Sequence, residues 1–101
     1  MEFETQKEIL EMREEIELEL IKLLEEIESD LTLEDIKEMI YEEEEQEDFQ
    51  DLIAVFDVGQ DVAELNNALE LISDAWNYFP HRVLGGLSPK EILLQAKNSN
   101  K

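Results

Sequence analysis

The chain has 101 residues, which is enough for one small domain and too few for two. Its 28 acidic and 8 basic residues give a formal net charge of −20, so we expect no direct binding to nucleic acid, whose phosphates would repel it. It contains no cysteine, which excludes disulfide bonds, thiolate metal sites and thiol nucleophiles.

No apolar run approaches the roughly 18 residues of a membrane span, and residues 1–4 are acidic where a signal peptide would be basic. We therefore expect no membrane attachment and a cytoplasmic location in a prokaryotic cell. The charge is concentrated in the first half: residues 1–50 hold 21 acids and 4 bases, net −17, and residues 51–101 hold 7 acids and 4 bases, net −3.

Residues 6–28 are predicted to form one long, acidic, amphipathic helix. Apolar residues recur there at intervals of three and four, the spacing of a buried helical stripe, and Arg13 interrupts one of these rows. The apolar surface is wider than one stripe, so the helix either packs wholly within the monomer or also pairs with a second copy or another protein. Its apolar residues are Ile9, Leu10, Ile16, Leu18, Leu20, Ile21, Leu23, Leu24 and Ile27. Residues 1–5 are predicted to fray.

A second helix is predicted to begin after Thr32, since Thr32 and Asp35 have the spacing of an N-cap residue and an acid at the third helical position. The glutamates of residues 42–45 repel one another and lie near a helix C-terminus, where the macrodipole disfavours anions. This helix should therefore end near Gln46. Its apolar stripe is Leu33, Ile36, Met39 and Ile40.

Residues 49–58 are predicted to form a short helix rather than a strand, because no second convincing strand exists to pair with them. Gly59 should end this helix, and Asp61 with Glu64 should start the next one. That next helix should stop before Pro80, since proline disfavours a helical residue before it. Its apolar face comprises Val62, Leu65, Leu69, Ile72 and Trp76, and it is widened by Ala68, Leu71, Ala75 and Phe79.

Residues 77–91, with the sequence NYFPHRVLGGLSPKE, predict a turn and a last helix. Gly85 and Gly86 form the turn. Ser88 is a good N-cap, Pro89 suits the first helical position, and Glu91 completes the capping box of a helix that reaches about residue 97. Residues 98–101 are predicted to fray. Residues 1–101 are thus predicted to form one all-α domain, a small bundle of four to five helices.

The pattern Asn-x-x-Pro-His-x-x-Leu-Gly-Gly-x-Ser-Pro-x-Glu in this tail resembles the end of small helical modules in uncharacterised prokaryotic proteins and, less well, the tail of integrase-type transposases. The resemblance implies that the tail folds back on the preceding helix. It implies structural roles for Asn77, Pro80, Gly85, Gly86 and Ser88. No catalytic role is carried over, because the upstream sequence lacks the strands and the spaced acidic triad of a ribonuclease-H-type core.

The carboxylates do not predict a specific metal site. Glu38, Glu42 and Glu45 would share one face of a continuous helix, and oxygen ligands suit calcium or magnesium. A site needs convergent ligands from more than one segment, and the sequence has neither a calcium-loop motif nor a Glu-x-x-His pair. We expect diffuse screening of the charge by cations, with no bound metal and no cofactor.

His81 is the only histidine and no nucleophile motif accompanies it, so a structural turn residue is favoured over a binding or a catalytic one. The aromatic cluster before it is favoured as part of the core, with Trp76 and Phe79 inward at helical spacing. The alternative is a recognition patch in which Tyr78 and Arg82 are exposed, because Tyr, Trp and Arg are favoured anchors in interfaces. The candidate partner-binding residues are Trp76, Tyr78, His81 and Arg82.

The missing catalytic constellation favours a non-enzymatic helical protein-interaction or accessory module, whose partner is another protein or a second copy of the chain. The alternative is an acidic DNA mimic that occupies a basic nucleic-acid-binding protein, and such a complex should weaken steeply with salt. An enzyme or a metal-dependent protein is a third and less favoured hypothesis.

Overall fold

The computed structural model describes residues 5–99, with the side chains of residues 5–45 and 47–96. Five α-helices occupy this part of the chain, and a short 3-10 turn, Arg82–Leu84, separates the last two. The helices are α1 (Gln6–Glu26), α2 (Leu33–Tyr41), α3 (Gln46–Phe56), α4 (Val62–Tyr78) and α5 (Pro89–Ser99). The prediction of a small all-α bundle is confirmed.

α1 begins at a capping box that the sequence analysis did not identify. The Thr5 hydroxyl accepts a hydrogen bond from the Glu8 N–H at 3.2 Å, and the Glu8 carboxylate accepts one from the Thr5 N–H at 3.0 Å. The predicted fraying is therefore not seen at Thr5, and residues 98 and 99, also predicted to fray, belong to α5. The rest of both predictions concerns residues 1–4 and 100–101, which lie outside the described residues.

The acidic run of residues 42–45 is the linker between α2 and α3, so the predicted end of the second helix is wrong by about a turn. α2 ends at Tyr41, and Gln46 is already the first residue of α3. The Asp48 carboxylate accepts hydrogen bonds from the N–H groups of Glu44 (2.7 Å) and Glu45 (3.0 Å). These bonds satisfy the free donors of a new helix start inside the glutamate run.

The remaining helix boundaries follow local signals. The predicted helix over residues 49–58 is present as part of α3, but it ends at Phe56 and not at Gly59, which lies in the following loop with φ = +88°. The predicted N-caps of α2 and α4 are present: the Thr32 hydroxyl accepts from the Asp35 N–H, and the Asp61 carboxylate accepts from the Glu64 N–H.

The core lies between α1 and α4, which form the most extensive helix contact, and α2, α3 and α5 close its sides. Each fully buried aliphatic or aromatic side chain contributes about 1.5–3 kcal/mol of burial free energy. All buried side-chain nitrogen and oxygen atoms of the described residues have hydrogen-bond partners. The buried apolar residues are Ile9, Ile16, Leu20, Leu24, Ile36, Ile40, Leu52, Phe56, Ala68, Ile72, Ala75, Tyr78 and Phe79.

None of the helices in residues 5–99 has both the length and the apolar character that crossing a membrane requires. The core stripe of α4 lies within the predicted apolar face, since Ala68, Ile72, Ala75 and Phe79 are buried. Val62, predicted on the same face, is 74% exposed.

Candidate protein-binding surface

His81 is buried in the turn that follows α4. Its Nε2 atom lies 2.7 Å from the carbonyl oxygen of Trp76, and its Nδ1 atom lies 3.2 Å from Oε1 of Glu43. In a continuous helix the Trp76 carbonyl would accept from residue 80, but Pro80 has no N–H. Nε2 must carry a proton, since a carbonyl only accepts, and His81 thereby replaces the missing backbone donor. His81 is only 1% exposed, so it can contact a partner only if this turn opens.

Trp76 lies half-buried between two rings. Its indole packs edge-on against Phe49 and against His81, with ring centroids 4.9 Å apart in both pairs. This arrangement joins α3, α4 and the following turn. Trp76 thus acts as a packing residue in the structure, and its predicted contact with a partner stays a prediction.

Arg82 is the exposed member of the predicted recognition patch, and it is paired within the chain. Its Nε atom donates to Glu42 at 3.2 Å and a terminal nitrogen donates to Glu44 at 2.9 Å. The hydrogen bond to Glu44 and the charge of Glu42 raise the pKa of Arg82. Together with the contact of His81 with Glu43, these pairs fasten the acidic linker of residues 42–45 to the turn after α4.

Tyr78 is 7% exposed, so the alternative in which it forms part of an exposed patch is wrong and it belongs to the core. It lies three residues after buried Ala75, so the helical repeat carries it onto the core face of α4. On its outer side, Lys90 Nζ lies 5.4 Å from the centre of the phenol ring. Tyr78 therefore links α4 to α5.

Arg13, which interrupts an apolar row of α1, holds the ends of α4 and α5 together. Its Nε atom donates to the carbonyl oxygen of Tyr78, the last residue of α4, at 2.8 Å. A terminal nitrogen donates to Glu91 Oε1 at 3.0 Å. A cation is favourable at a helix C-terminus and an anion near a helix N-terminus, so both partners gain from the helix dipoles.

Glu91 is the acceptor on which this contact depends. It accepts hydrogen bonds from the Ser88 N–H at 2.8 Å and from the Gln6 amide at 2.7 Å. Burial alone would raise the pKa of Glu91, but the hydrogen bonds from Ser88 and Gln6 and the charge of Arg13 outweigh it, so the pKa is lowered. Arg13, Gln6 and Glu91 form a polar clasp between α1 and α5 that sequence reasoning missed; the available signal was an arginine inside an apolar row.

The other predicted turn and cap residues lie where the backbone needs them. The Ser88 hydroxyl accepts from the Glu91 N–H at 3.2 Å, which completes the predicted capping box. Gly85 and Gly86 have φ values of +73° and +86°, a region that favours glycine. Asn77 donates from its amide to the Ser73 carbonyl on the exposed side of α4, and Pro89 is the first residue of α5.

The predicted alignment of Glu38, Glu42 and Glu45 on one helical face is wrong, because α2 ends at Tyr41. Glu42 follows the last residue of α2, and Glu45 precedes the first residue of α3. Within the part of the chain that the structure describes, no three His, Asp or Glu side chains converge to hold a metal ion.

One flank of α1 carries three large apolar side chains outside the core. Leu10, Leu18 and Ile21 are 46%, 64% and 40% exposed. Their spacings of eight and three residues place them on one side of the helix. We call these three residues the α1 patch. At Ile21 the patch meets a cleft of about 340 Å³ between α1 and the start of α2, and Leu31 and Leu33 also line this cleft.

No family model, curated protein or solved structure matches this chain. The resemblance of the tail to small helical modules and to transposase tails stays a prediction.

Proposed function

We propose that this chain is a non-enzymatic helical interaction module that binds a protein partner through the α1 patch. The observation that supports the proposal is the exposure of Leu10, Leu18 and Ile21 in a chain with a net charge of −20. Grouped apolar side chains on a charged surface are typical of interaction sites. The apolar contacts would supply affinity, and the surrounding carboxylates would favour a basic partner.

The buried ionisable groups form hydrogen bonds and ion pairs within the fold, which supports a non-enzymatic role. His81 contacts Glu43 and the Trp76 carbonyl, and Glu91 is held by Arg13, Gln6 and Ser88. Each group therefore serves to join elements of the fold. A general acid or base would instead have to reach the reacting proton of a substrate.

The test is affinity capture from native lysate with three forms of the protein. Leu18→Ser alters the α1 patch, and Leu93→Ser, which alters a 52% exposed leucine of α5, is the matched control. We expect a partner to be captured by the wild type and by Leu93→Ser, and to be lost with Leu18→Ser. Failure to capture a partner, or equal capture by all three forms, would contradict the proposal.

A DNA mimic is the second candidate, favoured by the carboxylates of α1. Seven of its eight glutamates are exposed along a helix of 21 residues, about 30 Å in length. In that case neutralising Glu11 and Glu14 to glutamine should weaken binding to a basic DNA-binding protein, and Leu18→Ser should not. If the affinity changes neither with these substitutions nor with the salt concentration, this candidate is eliminated.

A further inference from the structure

We infer that a groove between α1 and α4 binds a segment of a partner protein in which lysine or arginine alternates with apolar residues. This inference shares one assumption with the proposed function, namely that the binding partner is a protein. It names a second surface, because the groove lies on the opposite side of α1 from the α1 patch.

The groove has a volume of about 490 Å³ and runs between the C-terminal half of α1, the loop after α3 and the N-terminal half of α4. Its floor is apolar and its outer wall is Val58, which is 53% exposed. The floor consists of Leu23, Ile27, Ala68 and Leu71.

Hydrogen bonds fix the loop that forms the outer wall. The Gln60 amide donates to the Phe56 carbonyl at 2.7 Å, and its side-chain oxygen accepts from the Val58 N–H at 2.9 Å. Gly59 takes the positive φ that this tight loop requires. The groove is therefore a preformed feature, which reduces the ordering cost of binding.

The charged residues that line the groove are all glutamates: Glu19, Glu26 and Glu64. They are exposed, and their carboxylates form no ion pair or hydrogen bond with another side chain of the described residues. A ligand that matches both features has apolar side chains for the floor and lysine or arginine side chains for the unpaired carboxylates. In an extended segment successive side chains point to opposite sides, so alternation lets the apolar side chains meet the floor while the cationic ones reach the exposed carboxylates. An anionic ligand would be repelled.

The experiment is a titration of the isotope-labelled protein with the peptide acetyl-Leu-Arg-Leu-Arg-Leu-Arg-amide, followed by NMR in about 0.15 M salt, where exposed charges are screened beyond about 8 Å. Acetyl-Gly-Arg-Gly-Arg-Gly-Arg-amide supplies the same charge without apolar side chains. We expect saturable shifts of the Gly59, Asn67 and Leu71 amides with the leucine peptide, and unsaturated, diffuse shifts with the glycine peptide.

Two pairs of variants locate the binding. The double variant Glu19→Gln/Glu26→Gln should weaken the leucine peptide about fivefold, whereas Glu11→Gln/Glu14→Gln, with the same change in charge elsewhere on α1, should leave its affinity within about twofold. Val58→Ser should also weaken it, and Val62→Ser, outside the groove, should not.

Equal weakening by both charge variants, or shifts spread evenly over the acidic surface, would overturn the inference, as would absence of saturable binding. If Leu18→Ser abolishes partner capture while the groove variants do not alter it, the groove inference fails and the proposed function stands. The reverse result would retain the groove and refute the α1 patch.

Discussion

The Glu91 side chain is an ionised group in a place where burial disfavours charge. It keeps its charge because the Ser88 N–H and the Gln6 amide donate to it and because Arg13 lies 3.0 Å away. Its pKa is consequently lowered in the folded protein. The same residue thus caps α5 and ties that helix to α1, so its ionisation is coupled to the folding of both.

We predict that Glu91→Gln lowers the free energy of unfolding by about 1–2 kcal/mol at neutral pH, because glutamine can still cap α5 but cannot pair with Arg13 as an anion. A group with a lowered folded pKa stabilises the protein fully above its unfolded pKa of about 4.3 and loses that contribution as the pH falls through the folded value. The difference between wild type and variant should therefore shrink below about pH 4.

Urea unfolding at a series of pH values measures this difference. Glu70→Gln, which removes one exposed carboxylate from α4, controls for the change in net charge. A difference between wild type and Glu91→Gln that persists unchanged into strong acid would show that the stabilisation does not come from the ionised carboxylate.

His81 offers a second prediction at a single residue. His81→Phe preserves a ring against Trp76 but leaves the Trp76 carbonyl without a donor and removes the contact with Glu43. A buried acceptor that loses its donor carries the full cost of desolvation, so we expect a loss of about 1–3 kcal/mol in thermal or urea unfolding. Phe49→Leu, which alters the other ring contact of Trp76, should cost less; an equal loss would mean that ring packing, and not hydrogen bonding, is what His81 provides.

The C-terminus of α4 shows how one element depends on distant parts of the chain. Pro80 removes the backbone donor for Trp76, and the carbonyl of Tyr78 also lies at the helix end. The His81 ring and the Arg13 guanidinium satisfy these two carbonyls, at 2.7 and 2.8 Å. A helix that ends without a glycine cap is thus closed by two side chains, one of which comes from α1.

We therefore predict that Arg13→Met destabilises the protein by about 1–3 kcal/mol, because the Glu91 carboxylate loses its cationic partner and the Tyr78 carbonyl loses its donor. Lys22→Met, on an exposed position of the same helix, is the control. The double variant Arg13→Met/Glu91→Gln should cost less than the sum of the single variants, since the two residues share one contact. Additive losses would show that Arg13 acts through packing of its aliphatic stem.

The elements that could be predicted from the sequence are those whose signals are local. The N-caps at Thr32, Asp61 and Ser88 depend on residues three positions away, and all three are present. Thr5 and Glu8 carry the same signal, which the prediction overlooked.

The features that could not be predicted depend on contacts distant in sequence. The end of α2 is tied to the attachment of residues 42–44 to His81 and Arg82, some 38 to 40 positions later. Nor could spacing alone show that the Arg13 row faces Glu91, or that Val62 lies outside the core although it belongs to the apolar face of α4. The exposure of the α1 patch could not be predicted for the same reason. The sequence shows how wide the apolar surface of α1 is, but not which part of it the other helices cover.

For the whole molecule, the main unfavourable electrostatic contribution is the repulsion among 28 acidic side chains that face only 8 basic ones. Two of the basic residues form ion pairs between distant parts of the chain. Arg13 pairs with Glu91 at the start of α5, and Arg82 pairs with the linker of residues 42–45. The apolar core must therefore hold the bundle together against a large net charge, which favours expanded states.

Added salt should consequently stabilise the bundle. Screening weakens the many repulsions among exposed carboxylates, while the few ion pairs near the surface, such as the partly exposed pair of Lys37 with Glu17, contribute little stability that salt can remove. We predict a higher urea midpoint at about 0.5 M than at about 0.05 M sodium chloride. Light scattering at the same two concentrations separates this effect from association: if a second copy covers the α1 patch, the mass should rise with salt in the wild type and not in Leu18→Ser. A midpoint that falls with salt would mean that ion pairs such as those of Arg82 outweigh the repulsion of the excess carboxylates.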